Sequence, residues 1–295
     1  MKCPVDTMRS AFTMLEAIFA IVILGIVASI GSEIIADVYE RYIVQRAIYR
    51  SSLKTELAAQ QIANRLTYAI PGTVIGRKSD GTYLALEEIP DDTYVTLQWI
   101  GADEESFSAI TSSTDRLPGW SGLCDLNASS LNSLSTPGSN LGLANTIIGN
   151  LSGSTKNITN AAVFFPGTFT AYTTGYSGPG TSTVSTVASG TGSTMTLDAA
   201  ASRTMKEHYK LAWTSYAIVP IQRGSLFDLE LQYNFQPWDG NDYNKHGNGG
   251  PYLIKNVSVF RIKGTGNTIR FKLCQQENIG EDYNITTCKE KAVIR

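Results

Sequence analysis

One long apolar run near the start of the chain limits its fold more than any other feature. From Phe12 to Ile35 it is interrupted only by Thr13, Glu16, Ser29, Ser32 and Glu33. At ~1.5 Å per residue these 24 positions predict a helix of roughly 36 Å, enough to cross a bilayer. Lys2 and Arg9 stand in front of it, Glu33 and Asp37 at its far end, a charge order that puts the N-terminus in the cytoplasm and the rest outside. The helical pattern continues to Ile70 but becomes amphipathic. Val44, Ile48, Thr55, Ala58, Ile62, Leu66 and Ala69 recur at steps of three, four and seven, opposite Arg41, Arg46, Arg50, Lys54, Glu56, Asn64 and Arg65. Pro71-Gly72 ends the stretch. The reading is a single spine from Phe12 to Ile70, 59 residues and roughly 89 Å if straight, with Gly25 and Gly31 as its weakest points.

Glu16 is out of place in such a run. An ionisable side chain inside a membrane segment is costly and is read as functional by default, the plain alternative being a carboxylate at headgroup level. The context Ser10-Ala11-Phe12-Thr13-Met14-Leu15-Glu16, leading into AIFAIVILGIVASI, resembles the prepilin signal of the type IV pilin-like family. The resemblance implies a leader of residues 1–11, cleavage between Ala11 and Phe12 by prepilin peptidase, and N-methylation of Phe12. The family commonly has glycine before the cut, where this chain has Ala11; another small residue fits there. Residues 12–35 would then be retained as the membrane half of the helix, and 36–70 as its amphipathic, periplasmic half. Glu16 becomes the fifth mature residue, where its carboxylate can neutralise the new amine of a neighbouring subunit and set axial register; two charges that are costly alone are tolerable as a pair. The rival reading is an ordinary secretory signal with Ala17–Ile30 as its apolar region and a cut near Ser29. That leaves the Phe-Thr-Met-Leu-Glu run unexplained.

Charged residues make up 17% of the chain and hydrophobic residues 42%, with abundant Ser, Thr, Gly and Asn. That suits an extracytoplasmic, loop-rich β protein better than a cytosolic enzyme, and the formal net charge of −2 carries no footprint for nucleic acid. Of four cysteines, Cys274 and Cys288 are 14 apart and in an oxidising compartment could close a disulfide contributing roughly 3 kcal/mol; two buried thiols are the alternative. Cys124 reads as a small buried side chain.

After Pro71 the pattern is β. Val95–Trp99, Tyr216–Val219 and Phe227–Tyr233 read as strands, and Ile254–Lys263 with Thr268–Cys274 as a hairpin around residues 264–267. Asn127–Thr159 and Tyr172–Ser202 are rich in Ser, Thr, Asn and Gly and read as exposed or partly ordered insertions in a head spanning 71–295. The segment Tyr252–Ile262 with Asn267–Leu273 resembles the end of large minor pseudopilins and minor pilins. The fold class expected is therefore α+β and pilin-like: a long N-terminal helix packed on a mostly antiparallel sheet.

Chemistry-bearing motifs are few. His208 and His246 lack metal-ligand spacing, and no nucleophile elbow, phosphate loop or Cys-x-x-Cys occurs, so enzymatic function is not expected. Asp239, Asn241, Asp242 and Asn244 crowd around Gly240 and could form a calcium loop, as some secretion pseudopilins do, or a solvated turn. Asn127 and Asn284 each follow an acid by two residues and precede Ser or Thr by two, the extended acceptor pattern of bacterial N-glycosylation. Trp99, Trp120, Trp213 and Trp238 read as core or loop anchors. The resemblance implies a minor filament subunit of the bacterial inner membrane, single-pass with a periplasmic head. Its implied partners are other pilins or pseudopilins, prepilin peptidase, the inner-membrane assembly platform and membrane lipid. A filament-displayed adhesion module and a membrane-anchored protein that never assembles are the alternatives.

Overall fold

The apolar run and its amphipathic continuation form one element, α1 (Met14–Thr67), in a computed structural model that describes residues 13–167, 175–176, 184–198, 204–279 and 283–294. In chain order there follow β1 (Ile75–Arg77), β2 (Tyr83–Ala85), β3 (Thr96–Gly101), α2 (Glu104–Ser108), β4 (Ser133–Ser135) and α3 (Leu141–Leu151). Next come β5 (Ala162–Phe164), β6 (Ser185–Thr191), β7 (Thr194–Leu197), β8 (Lys210–Ala212), β9 (Thr214–Arg223) and β10 (Leu226–Phe235). The chain closes with α4 (Tyr243–His246), β11 (Asn248–Thr265), β12 (Thr268–Ile279) and β13 (Tyr283–Ile294). The described residues divide into two compact units. One ends on α1 at Arg50 and also takes in Asn278–Ile285; the other begins at Ser51.

In the smaller unit, the apolar part of α1 keeps its side chains on the outside: Ile21 is 71% exposed and Leu24 68%. The helix is long and apolar enough to cross a membrane, and none of that apolar window is buried within the protein.

In the larger unit, the amphipathic pattern does the packing. Ser51, Thr55, Ala58, Ala59, Ile62 and Leu66 recur at helical spacing and are all buried. Ala58, Ala59, Ile62 and Leu66 form one core with Leu97, Trp99, Ile218, Leu229 and Phe271 of an antiparallel sheet ordered β13-β12-β11-β10-β9-β3-β1-β2. The paired alanines leave room for helix and sheet to approach, and each fully buried Leu or Ile contributes about 2–3 kcal/mol. Polar contacts fix the helix along the same sheet. Lys54 meets Glu277 at 3.1 Å, Glu56 holds Lys291 at 2.6 Å and Lys289 at 3.5 Å, and Ser51 Oγ donates to Gln275. Cys274 and Cys288 are joined by a disulfide that ties β12 to β13. The β11–β12 hairpin turns at Gly266, whose φ of 54° suits a residue without Cβ. A long N-terminal helix with antiparallel sheets makes the chain α+β.

A second antiparallel sheet, ordered β4-β7-β6-β5-β8, has its own core of Trp120, Leu134, Leu141, Ile148, Met195 and Tyr209. For 127–159 this corrects the reading as an exposed or partly ordered insertion. The 127–159 stretch holds β4 and α3, and α3 buries Leu141, Ala144 and Ile148 at steps of three and four. Its N-cap is Asn140, whose side chain accepts from Leu143 N. The described part of 172–202 contains the β6–β7 pair, which turns Val187, Met195 and Leu197 inward. Few apolar residues are present, but Leu134, Leu141, Ala144, Ile148, Val187, Met195 and Leu197 share this core, while Leu131 and Leu151 stay exposed. Residues 172–174, 177–183 and 199–202 of this stretch lie outside the described residues.

Candidate functional site

The N-terminal elements come first in the chain. Thr13 precedes α1, and its Oγ1 accepts from Glu16 N at 3.4 Å, so Glu16 occupies the first helical turn, where a carboxylate complements the helix dipole. Its side chain is exposed, and no salt bridge engages it among the described residues. Ala11, Phe12 and the 1–11 leader lie outside the described residues.

The Asp/Asn cluster is drawn into local structure. Asp242 caps α4 through Asn244 N at 3.5 Å and pairs with Arg77 at 3.1 Å. The same guanidinium bonds Gln98 Oε1 and Gly81 O, and it lies 5.5 Å from the ring centroids of both Tyr83 and Tyr243. Asp239 ends a single 3₁₀ turn before left-handed Gly240, and burial raises its pKa above the ordinary carboxylate value. Asn241 reaches Gln236 at 3.5 Å. Among the described residues no three or more His, Cys, Asp or Glu side chains gather as a metal set. His208 and His246 are exposed, Cys124 is buried beside Ser129, and the four tryptophans are buried. Asn127 and Asn284 are both exposed.

A feature that sequence reading did not anticipate is a cleft of about 680 Å³ in the larger unit. It is lined by Gln61, Asn64 and Arg65 of the last turns of α1, by Tyr68 just after it, and by Glu104 and Glu105 of α2. Its floor comes from β9 and β10, and β11 supplies Gly250–Leu253. Tyr68, Tyr216, Tyr233 and Tyr252 line it with Trp213. Local geometry puts them there. Asn234 has φ 64° and donates its N–H to Thr214 Oγ1 at 2.9 Å, at a register shift between Gln232 and Phe235. Such a bulge re-aims the side chain beside it, here Tyr233. Tyr252 is braced by Arg223 Nη2 donating to its hydroxyl at 3.0 Å. Gly101 is required by proximity, since a Cβ there would sit 2.7 Å from the Tyr216 ring. Among the described residues Arg65 donates only at long range, to Gln61 O at 3.4 Å, so its guanidinium retains donors for a ligand.

Beside the cleft, Asp103 caps α2 by accepting from Ser106 N at 3.2 Å, while its backbone carbonyl accepts the Trp120 indole N–H at 2.8 Å. Burial pushes its carboxyl up to about 6, against the opposing pull of Ser106. Among the described residues its Oδ2 makes no hydrogen bond of ordinary geometry, and the neighbouring Trp213 indole pulls the carboxyl down only slightly. The lining residues come from six separate stretches of the chain, so the sequence offers no local motif for the cleft; its one trace is the abundance of tyrosine, 14 in all. Comparison with family models, with curated proteins and with solved structures returned no match.

Proposed function

We propose that this chain is a type IV pilin-like filament subunit, a minor pseudopilin or minor pilin, cut before Phe12 and assembled through Glu16. The observation that carries the reading is α1. It has an apolar, unburied first part with one acid in its opening turn, and a later part whose small and apolar residues pack on a sheet. A plain membrane anchor requires only the apolar part. Support also comes from the face of α1 turned away from the sheet, where Leu53 is 47% exposed and Leu57 55%; lateral packing of helices in a filament would cover such side chains. In this reading the head is periplasmic and the N-terminus cytoplasmic. Prepilin peptidase, the inner-membrane assembly platform and neighbouring pilins are the partners. The second sheet makes a bulky head, which favours a low-copy position over one repeated along a helical lattice.

Glu16 then neutralises the amine of a neighbouring Phe12 in low dielectric. The test is Glu16→Ala in the native host, followed through membrane fractionation and filament preparations. The variant should insert in the membrane at normal levels and be missing from filaments. Normal incorporation would remove the register role.

A further inference from the structure

We infer that the aromatic cleft is a binding site for a neutral oligosaccharide. The inference stands apart from the filament reading, because every residue that forms the cleft lies between Gln61 and Leu253, well beyond the membrane segment.

The chemistry of the lining selects the ligand class. Sugar rings present two kinds of surface: a face of C–H groups and a rim of hydroxyls. Tyrosine and tryptophan rings match the first, because their π faces attract polarised C–H groups while their polar ends stay wet. The cleft offers Tyr68 and Tyr233 with substantial exposure, Tyr216 and Tyr252 half-buried, and a buried Trp213. Planar polar groups match the second, since amides, guanidinium and carboxylates bond pairs of neighbouring hydroxyls. Gln61, Asn64, Arg65, Glu104 and Glu105 all line the cleft. One cation against two anions leaves little net field, which suits an uncharged ligand better than a phosphate or a strongly basic peptide. The volume of about 680 Å³ falls within the size range of ligand sites.

The floor argues against an extended peptide. Beneath the cleft β10 is already paired on both sides, with β9 and β11, and β9 is paired with β10 and β3, so their ladders are full. Where β11 enters the cleft it carries Pro251, which has no N–H to offer a new strand. Affinity therefore has to come from side chains, as in stacking and hydroxyl recognition.

The test uses the full chain purified in a detergent without a sugar headgroup. Maltotriose, cellotriose, N-acetylated chitotriose and a galactose trisaccharide are each titrated, with saturation-transfer NMR and tryptophan fluorescence as readouts. At least one should bind saturably below about 10 mM, an affinity accessible to a few stacking contacts. Tyr68→Ala and Tyr233→Ala remove exposed rings, so the fold should survive, and each should weaken that binding by roughly tenfold or more. Tyr42→Ala, an exposed tyrosine elsewhere on α1, should leave it unchanged. The proposal is overturned if no trisaccharide binds, if the two cleft variants bind as the parent does, or if a short tyrosine- and proline-containing peptide binds while the sugars stay silent.

Discussion

Asp103 offers a stability experiment whose size follows from its surroundings. Asp103 is 1% exposed and only one of its oxygens makes a hydrogen bond of ordinary geometry among the described residues, the one that caps α2, so burial penalises ionisation in the folded state. Its carboxyl is raised from the ordinary 3.8 to about 6. Between those values the folded chain holds a proton that the unfolded chain has lost. Stability therefore falls as pH rises through the window, and is flat below the lower value and above the upper. Two pH units at ~1.4 kcal/mol each set an upper figure of about 3 kcal/mol, and relaxation around the charge brings the observable loss to about 1–3 kcal/mol. Asp103→Asn keeps an N-cap oxygen, since asparagine caps as well as aspartate, but removes the titration. Denaturant unfolding of both proteins, followed by tryptophan fluorescence between about pH 3 and pH 8, isolates the effect, because other groups cancel in the difference. The variant should gain on the parent by about 1–3 kcal/mol from pH 4 to pH 7. Parallel curves across that range would refute the assignment of a buried, destabilised carboxylate.

Leu66→Ala empties a fully buried position where α1 meets the larger sheet and should cost about 2–5 kcal/mol in the same unfolding assay. Replacing Cys274 and Cys288 together by serine should cost about 2–4 kcal/mol, and reducing agent should then have no further effect on the unfolding midpoint.

How far the sequence disclosed this architecture depended on whether a pattern was local. The helix from Met14 to Thr67 was legible because its apolar run and its later spacing of Thr55, Ala58, Ile62 and Leu66 are continuous in the chain. Strands β9 and β10 and the β11–β12 hairpin were legible for the same reason, through alternation and a Gly-Asn turn. The second sheet was not. Leu141, Ala144 and Ile148 sit among Gly, Asn and Thr, and composition averaged over the segment hid the single face they share. Its strands are as short as three residues, and they find burial only against partners distant in sequence, such as Tyr209 and Leu211. The Asp239–Asn244 cluster read as a solvated turn or a calcium loop because neighbouring oxygens are easy to see in sequence. Arg77, 165 residues away, claims Asp242, and that contact only the fold could reveal. The cleft was hidden more completely, since a pair as central as Tyr68 and Tyr233 share no local pattern.

The central claim concerns where the mature chain begins and what its first residue carries. Intact-mass and N-terminal peptide spectrometry of the protein taken from its host's membranes test it most directly. The account predicts a chain starting at Phe12 with a methyl group on its amine and Glu16 as its fifth residue. A start near Ile30, or an untrimmed chain still beginning at Met1, would contradict it.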